Sequence, residues 1–173
     1  MKTSQDRILT THVGSLPRSK VVTDLVFAHA AGERIPQDRF DAVISSAVSD
    51  TVKRQRESRV DIVSDGEMSK ISYATYIKDR ITGFDGDSPR RAPADLEEFP
   101  GFLERQAKGG GTPTYRRPKC VGEITVKSMD PVTADLRYFS KALDGAGHAD
   151  SFMNAASPGV IALFQPNEFY DTQ

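Results

Sequence analysis

The sequence predicts an α/β fold of about four βα units whose strands are parallel. Short runs rich in β-branched residues alternate with helical segments, and this alternation indicates parallel strands joined by right-handed crossovers. Three of the runs end in small or polar residues, at the strand ends where barrels and open α/β sheets place their binding sites. The four runs are residues 8–13, 60–64, 120–126 and 152–156.

Composition is that of one globular domain, because the 173 residues are 38% hydrophobic and 27% charged. The net charge of −1 creates no attraction to nucleic acid or to an anionic membrane. No apolar stretch approaches the ~20 residues of a membrane span, and we expect no export because no leader precedes the first run. Cys120 is the single cysteine, which excludes an intrachain disulfide. We therefore expect a cytoplasmic protein that binds small molecules and neither nucleic acid nor membranes.

The first run opens into a candidate binding loop. Gly14 and Ser15 break the run at residues 8–13, and Pro17 confirms that the strand has ended. A glycine followed by a serine lets backbone N–H groups and a hydroxyl approach a small anionic ligand. An ordinary strand-to-helix turn explains the same residues, so both interpretations stay open.

Two helices follow this loop. Residues 21–31 are apolar and alanine-rich, and Gly32 ends the helix that they predict. Pro36 begins a longer helix. Its apolar residues recur at three- and four-residue spacing and predict a core-facing stripe of Phe40, Val43, Ile44, Ala47, Val48 and Val52.

The second run ends at Asp65-Gly66-Glu67, and a helix is predicted over residues 72–81. Residues 85–118 are then polar and rich in proline and glycine. So long an irregular piece is typical of a functional loop or an insertion. We expect an insertion over the mouth of the site, with a short helix at residues 95–106.

The second half of the chain adds two more units. The third strand candidate, residues 120–126, precedes a helix predicted over residues 131–142, with Leu136, Phe139, Ser140 and Leu143 at helical spacing. The fourth run, residues 152–156, ends at Ser157-Pro158-Gly159. A polar tail closes the sequence.

Three of these segments together resemble the cobalamin-independent methionine synthase family. They are His-Val-Gly-Ser-Leu-Pro-Arg at residues 12–18, Val-Ser-Asp-Gly-Glu at 63–67, and Phe-Met-Asn-Ala-Ala-Ser-Pro-Gly at 152–159. The similarity is closest to the single-barrel catalytic branch, which also includes thiol alkyltransferases acting on coenzyme M. It implies a TIM-type (β/α)8 barrel, of which residues 1–173 would form the amino-terminal half.

The resemblance also implies a reaction and a site. In this family a methyl group moves from a 5-methyltetrahydrofolate to the thiol of homocysteine, which a zinc ion holds as a thiolate. The strand-one loop holds the carboxylate and amine of the amino acid, and the acidic residue after the second strand pairs with its ammonium. The matching substrate-binding residues are Val13, Gly14, Ser15 and Glu67, and Asp65 could support Glu67. His12 stands beside the glycine turn and could line the pocket, and a packed or hydrogen-bonded histidine is the alternative. A turn with acidic groups near a helix start is the alternative interpretation of residues 65–67.

The zinc ligands of the family do not match this sequence. The family holds zinc with a His-x-Cys pair, a glutamate and a second cysteine on later strands, whereas this chain has one cysteine and no His-x-Cys. We expect Cys120 to be a small buried side chain, and His29 and His148 to be structural or solvated. The chain would thus supply the amino-acid-binding half, without metal ligands or catalytic residues of its own.

The tail suggests the same boundary, since residues 166–170 resemble the family segment that leads towards the metal-ligand strands. A half barrel has open sheet edges and an uncovered apolar face. We therefore expect the chain to associate with another copy or with a missing carboxyl-terminal half.

Three alternatives remain. The chain could be a non-catalytic fragment or assembly partner, or it could use another thiol, such as coenzyme M, or another alkyl donor. A distant barrel related to uroporphyrinogen decarboxylase is the third, and Arg18 is the only residue that favours it.

Overall fold

The computed structural model describes residues 2–72, 75–88, 94–108, 117–147 and 150–172 and shows a mixed α/β chain. The helices and strands of these ranges, in chain order, are α1 Lys20–Ala30, α2 Gln37–Glu57, β1 Ile62–Ser64, α3 Ile77–Arg80, β2 Phe84–Asp85, a 3-10 turn Ala94–Leu96, α4 Pro100–Lys108, β3 Lys119–Cys120, α5 Asp130–Leu143, β4 Asp150–Phe152 and α6 Pro158–Phe164. None of the helices in the described part is long and apolar enough to cross a membrane.

Strand β1 lies at the centre of the parallel pairing. Strand β4 runs parallel to it, with Ile62 opposite Asp150 and Ser64 opposite Phe152. Thr11 forms an isolated parallel bridge to Ile62. The predicted parallel arrangement therefore holds for the first, second and fourth runs.

Both outer runs differ in extent from the prediction. In the first run Thr11 forms an isolated bridge, the carbonyl oxygen of Thr10 accepts the backbone N–H groups of Asp61 and Ile62, and Ile8 is exposed to solvent. The fourth pairs over Asp150–Phe152 rather than over residues 152–156. Its continuation leaves the ladder, and Ser157 then caps α6 by accepting a hydrogen bond from the backbone N–H of Val160.

The third run was wrongly assigned to the parallel strands. Strand β3 pairs antiparallel with β2, and an antiparallel bridge joins Ile81 to Val126. Gly83, which has φ +83°, lies within this antiparallel pairing, and a Cβ built there would lie 2.5 Å from the carbonyl oxygen of Gly122. The two backbones approach too closely there for a side chain on Gly83. Residues 81–85 and 119–126 thus form an antiparallel, hairpin-like pair. Among the described residues, three segments pair in parallel around β1 instead of the predicted four, and Cys120 forms a separate isolated parallel bridge to Asn167.

The hydrophobic core lies between α1, α2, α5 and β1. The predicted stripe of α2 is confirmed, since Phe40, Ile44, Val48 and Val52 are buried and Val43 and Ala47 pack against them. The helix predicted over residues 131–142 is present as α5, although Leu136 within it is 52% exposed. Helix α5 instead turns Asp135, Tyr138 and Phe139 inward.

The limits of the remaining helices agree with the prediction only in part. Helix α1 stops just before Gly32, as expected. Helix α3 spans only Ile77–Arg80 of the helix predicted over residues 72–81, two of which lie outside the described residues. Within the predicted insertion at 85–118, the short helix is present as α4, and residues 89–93 and 109–116 lie outside the described part.

Candidate functional site

The turn that follows β1 has an unusual backbone. Gly66 and Glu67 both adopt positive φ angles, of 63° and 56°. A Cβ on Gly66 would lie 2.8 Å from Cγ2 of Thr51, so glycine is required both by conformation and by space. The backbone N–H of Leu16 donates to the carbonyl oxygen of Gly66 at 3.1 Å. The first loop is thereby tied directly to this turn.

Glu67 is the centre of the site, because its side chain receives one hydrogen bond on each carboxylate oxygen. The hydroxyl of Ser15 donates to Oε2 at 2.5 Å, and the Nδ2 amide of Asn154 donates to Oε1 at 3.0 Å. The three residues follow Thr11, β1 and β4, so three neighbouring parallel segments meet here. Glu67 is only 1% exposed.

The charge of Glu67 is balanced by no direct ion pair among the described residues. Arg18 lies close by, yet its guanidinium donates to the backbone oxygens of Glu67 and Lys70, at 2.7 and 2.6 Å. Burial lowers the pKa of Arg18, and the carboxylates of Glu67 and Asp65 oppose that shift. The carboxylate of Glu67 is therefore oriented by two neutral donors.

The other predicted site residues lie around this centre. Asp65 is buried, and its Oδ1 accepts the backbone N–H of Glu67 at 3.2 Å. Burial raises the pKa of Asp65, while Lys70 opposes the shift. Val13 is 70% exposed, and Gly14 has φ +101° with open space where a side chain would stand. His12 is half-buried, and its Nε2 has no hydrogen-bond partner in the described part of the chain. The structure thus joins Ser15, Asp65 and Glu67 by direct contacts.

Comparison with known proteins shows which proteins the chain is similar to. No family model matches it. The methionine synthase of Sulfolobus acidocaldarius is 26% identical over 164 residues, which are 95% of this chain and 42% of that protein. The methionine synthase of Saccharolobus solfataricus is 26% identical over 162 residues, or 93% of this chain and 42% of the relative. The chain is a homologue of the methionine synthases.

This homology confirms the family resemblance that the three motifs carry. A fission yeast protein named probable 5-methyltetrahydropteroyltriglutamate–homocysteine methyltransferase (Schizosaccharomyces pombe) is 35% identical over 75 residues, which are 43% of this chain and 10% of that protein. The chain spans about 42% of the length of the curated methionine synthases it matches. Its alignment with them nevertheless includes nearly all of its own residues.

Metal-ligating side chains are not grouped in the described ranges, where no three His, Cys, Asp or Glu residues could hold a metal ion together. Cys120 is buried in β3, and its thiol lies 3.6 Å from the carbonyl oxygen of Gly122. The ring of His29 lies 4.7 Å from that of Phe40 in a tilted arrangement. His148 is outside the described residues. Cys120 and His29 therefore take part in packing.

Sequence reasoning missed four residues of this region: Asn154, Lys70, Tyr76 and Asp135. Asn154 belongs to a motif of the methionine synthase resemblance, and its place two residues after β4 is a signal that could have identified it. The other three form a group of the buried Lys70 and Asp135 and the half-buried Tyr76, in which the Lys70 ammonium lies 3.5 Å from a carboxylate oxygen of Asp135. The hydroxyl of Tyr76 donates to the same oxygen at 2.7 Å. No local pattern predicts these contacts, because their partners are far apart in sequence.

Proposed function

We propose that this chain supplies the amino-acid-binding part of a methyltransferase of the methionine-synthase type. The reaction moves a methyl group from 5-methyltetrahydrofolate, or a related donor, to the thiol of homocysteine. The observation that carries the proposal is the buried Glu67 carboxylate, held by Ser15 and Asn154 at the ends of three parallel segments. Homology to methionine synthases supports the class of reaction.

Glu67 binds the ammonium of the amino acid. A carboxylate oxygen has two acceptor positions. Each oxygen of Glu67 uses one for Ser15 or Asn154 and keeps one for an N–H of the ligand. Because the carboxylate is buried, its attraction to an ammonium is little screened by solvent. The two neutral donors fix its direction before the ligand arrives, which lowers the ordering cost of binding.

The loop of Val13, Gly14 and Ser15 binds the carboxylate of the same amino acid. Gly14 has φ +101° and no atom within 4 Å of a built Cβ, so a ligand has room to approach the backbone there. Nε2 of His12, the residue before this loop, is buried without a hydrogen-bond partner among the described residues, and we expect it to contact a polar group of the ligand. Asp65 supports this arrangement by holding the backbone N–H of Glu67.

The parallel segments that carry the site also support a barrel fold. We propose that Thr11, β1 and β4 belong to consecutive strands of a (β/α)8 barrel and that the chain is its amino-terminal part. The parallel order and a site at the carboxyl ends of the strands are both typical of that fold. The exposed apolar residues of the hairpin and α6, such as Val126 and Leu163, then face another copy or the remainder of the barrel.

Zinc chemistry is not assigned to this chain. When bound, zinc holds a substrate thiol as a thiolate nucleophile. The described residues offer no donor set that fits it. We propose that the role of these residues is to bind and orient the amino acid.

Calorimetric titration of L-homocysteine into the 173-residue chain tests the proposal. A hydrogen bond to a charged group contributes about 1.5–3 kcal/mol, so Glu67→Gln should weaken binding about 10- to 150-fold. The matched control Glu33→Gln, in the exposed loop before α2, should bind like the wild type. Absence of homocysteine binding, or equal affinity of Glu67→Gln, would contradict the proposal.

A parallel titration with coenzyme M separates the related thiol-transfer alternative. Coenzyme M carries a sulfonate and no ammonium, so Glu67 offers it no favourable contact. Binding of coenzyme M in preference to L-homocysteine would overturn the assignment of an amino-acid substrate while keeping a thiol-binding role.

A further inference from the structure

We propose that Lys70 is a positioning residue, which holds the turn of residues 65–67 so that the Glu67 carboxylate faces the ligand. The inference rests on the proposed function. Its starting point is a buried charge cluster beside the turn, in which the Lys70 side chain is 4% exposed. Its ammonium lies 3.5 Å from Oδ2 of Asp65 and 3.5 Å from Oδ2 of Asp135.

Contacts lead from Lys70 to the backbone of Glu67 through Asp65. One carboxylate oxygen of Asp65 faces the Lys70 ammonium, while the other accepts the backbone N–H of Glu67 at 3.2 Å. Glu67 has φ +56°, a left-handed conformation that is unfavourable for a residue with a side chain. Such a conformation persists only where the surroundings enforce it. Lys70 fixes the Asp65 side chain that does so.

Asp135 anchors the cluster to the body of the protein. It belongs to α5, whose Tyr138 and Phe139 pack in the core beside α2. The hydroxyl of Tyr76 donates to Asp135 at 2.7 Å, and the Lys70 ammonium lies 4.9 Å from the centre of the Tyr76 ring. The turn that carries Glu67 is thereby connected through Lys70 to a packed helix.

The charge balance shows why a lysine is needed there. Two buried carboxylates share one ammonium, and loss of the ammonium would leave two negative charges close together beside the turn. A buried ion pair is in general a poor source of net stability compared with apolar residues of the same size. A role in fixing the geometry of the turn explains the cluster better than a role in stability.

Amide hydrogen exchange resolved by residue tests the proposal without any ligand. Lys70→Met should speed exchange of the Glu67 amide at least tenfold, while the amide of Val52 in α2 keeps its wild-type rate. Lys70→Arg, which retains the charge, should restore the rate to within about threefold. Lys53→Met, on the exposed face of α2, is the matched control and should change neither rate.

Asp135→Asn covers the case in which Lys70→Met does not fold, because it removes one anchor and leaves the Lys70–Asp65 contact. Asp135→Asn should speed exchange of the Glu67 amide about threefold or more. Across the variants, faster exchange at Glu67 should go with weaker binding of L-homocysteine. The proposal is wrong if the Glu67 amide of every folded Lys70 and Asp135 variant exchanges at the same rate as in Lys53→Met. Since exchange needs no ligand, failure of homocysteine binding in the wild type would refute the proposed function alone.

Discussion

Gln55 should contribute more to stability than any other polar side chain of α2. It is 5% exposed and forms a closed set of hydrogen bonds with the last residue of β1. Its Nε2 donates to the carbonyl oxygens of Ser64 at 2.8 Å and Thr51 at 3.2 Å, and its Oε1 accepts the backbone N–H of Ser64 at 3.0 Å. One amide thus satisfies both backbone polar groups of Ser64, which is fully buried.

Replacing Gln55 with leucine keeps the approximate volume and removes both contacts with Ser64. Each buried polar group left unsatisfied costs about 1–3 kcal/mol, so Gln55→Leu, which leaves two, should lower the free energy of unfolding by about 2–6 kcal/mol. That is a large part of the 5–15 kcal/mol typical of a domain. With a urea slope of about 2 kcal/mol/M, the unfolding midpoint should fall by about 1–3 M.

Urea unfolding followed by circular dichroism measures this effect, with all variants at one protein concentration and in the same association state by light scattering. Gln37→Leu is the control, since Gln37 is exposed at the start of α2 and should change stability by less than about 0.5 kcal/mol. A Gln55→Leu midpoint equal to that of the control would show that the Ser64 groups find other partners, and would refute the reasoning.

Two further predictions concern Gly66 and Asp61. Gly66→Ala should lower the free energy of unfolding by about 2–4 kcal/mol in the same urea assay, because it combines a left-handed backbone with a clash against Thr51. The control Gly101→Ala, where a Cβ meets no atom within 4 Å, should cause no loss of stability. Equal effects of the two substitutions would contradict this reasoning. Hydrogen bonds from Arg7 hold the pKa of Asp61 well below its ordinary value of 3.8, so the stability that Asp61 adds is present at neutral pH and is lost as the pH falls below about 4. Asp61→Asn should therefore differ from the wild type at pH 6 and converge with it in acid, and a difference that is constant with pH would exclude this linkage.

Periodicity carried much of the fold prediction because burial of a helix face imposes a regular spacing on the sequence. The stripe of α2 was predicted from that spacing and is confirmed by the buried Ile44 and Val52. The strand at residues 120–126 was misassigned because a short β-branched run has the same composition in a parallel sheet and in an antiparallel hairpin. The antiparallel pairing of Phe84 with Cys120 and the close approach of Gly83 to Gly122 distinguish the two, and both depend on tertiary contact.

The candidate site was predictable to a similar degree. Ser15 and Glu67 stand at strand ends within recognisable motifs, so their proximity follows from the parallel order of the strands. Asp135 lies in α5, where a charged residue ordinarily predicts a solvated face, and Lys70 lies just after the turn that follows β1, outside any helix or strand. Their burial results from the packing of α5 against the turn, which no local pattern shows.

Titration of L-homocysteine and of 4-mercaptobutanoate, the same molecule without its ammonium, tests the central claim most directly. If the Glu67 carboxylate binds that ammonium, the wild type should prefer L-homocysteine about 10- to 150-fold, and Glu67→Gln should show almost no preference. A wild-type preference that persists in Glu67→Gln would place ammonium recognition at another residue and contradict the account.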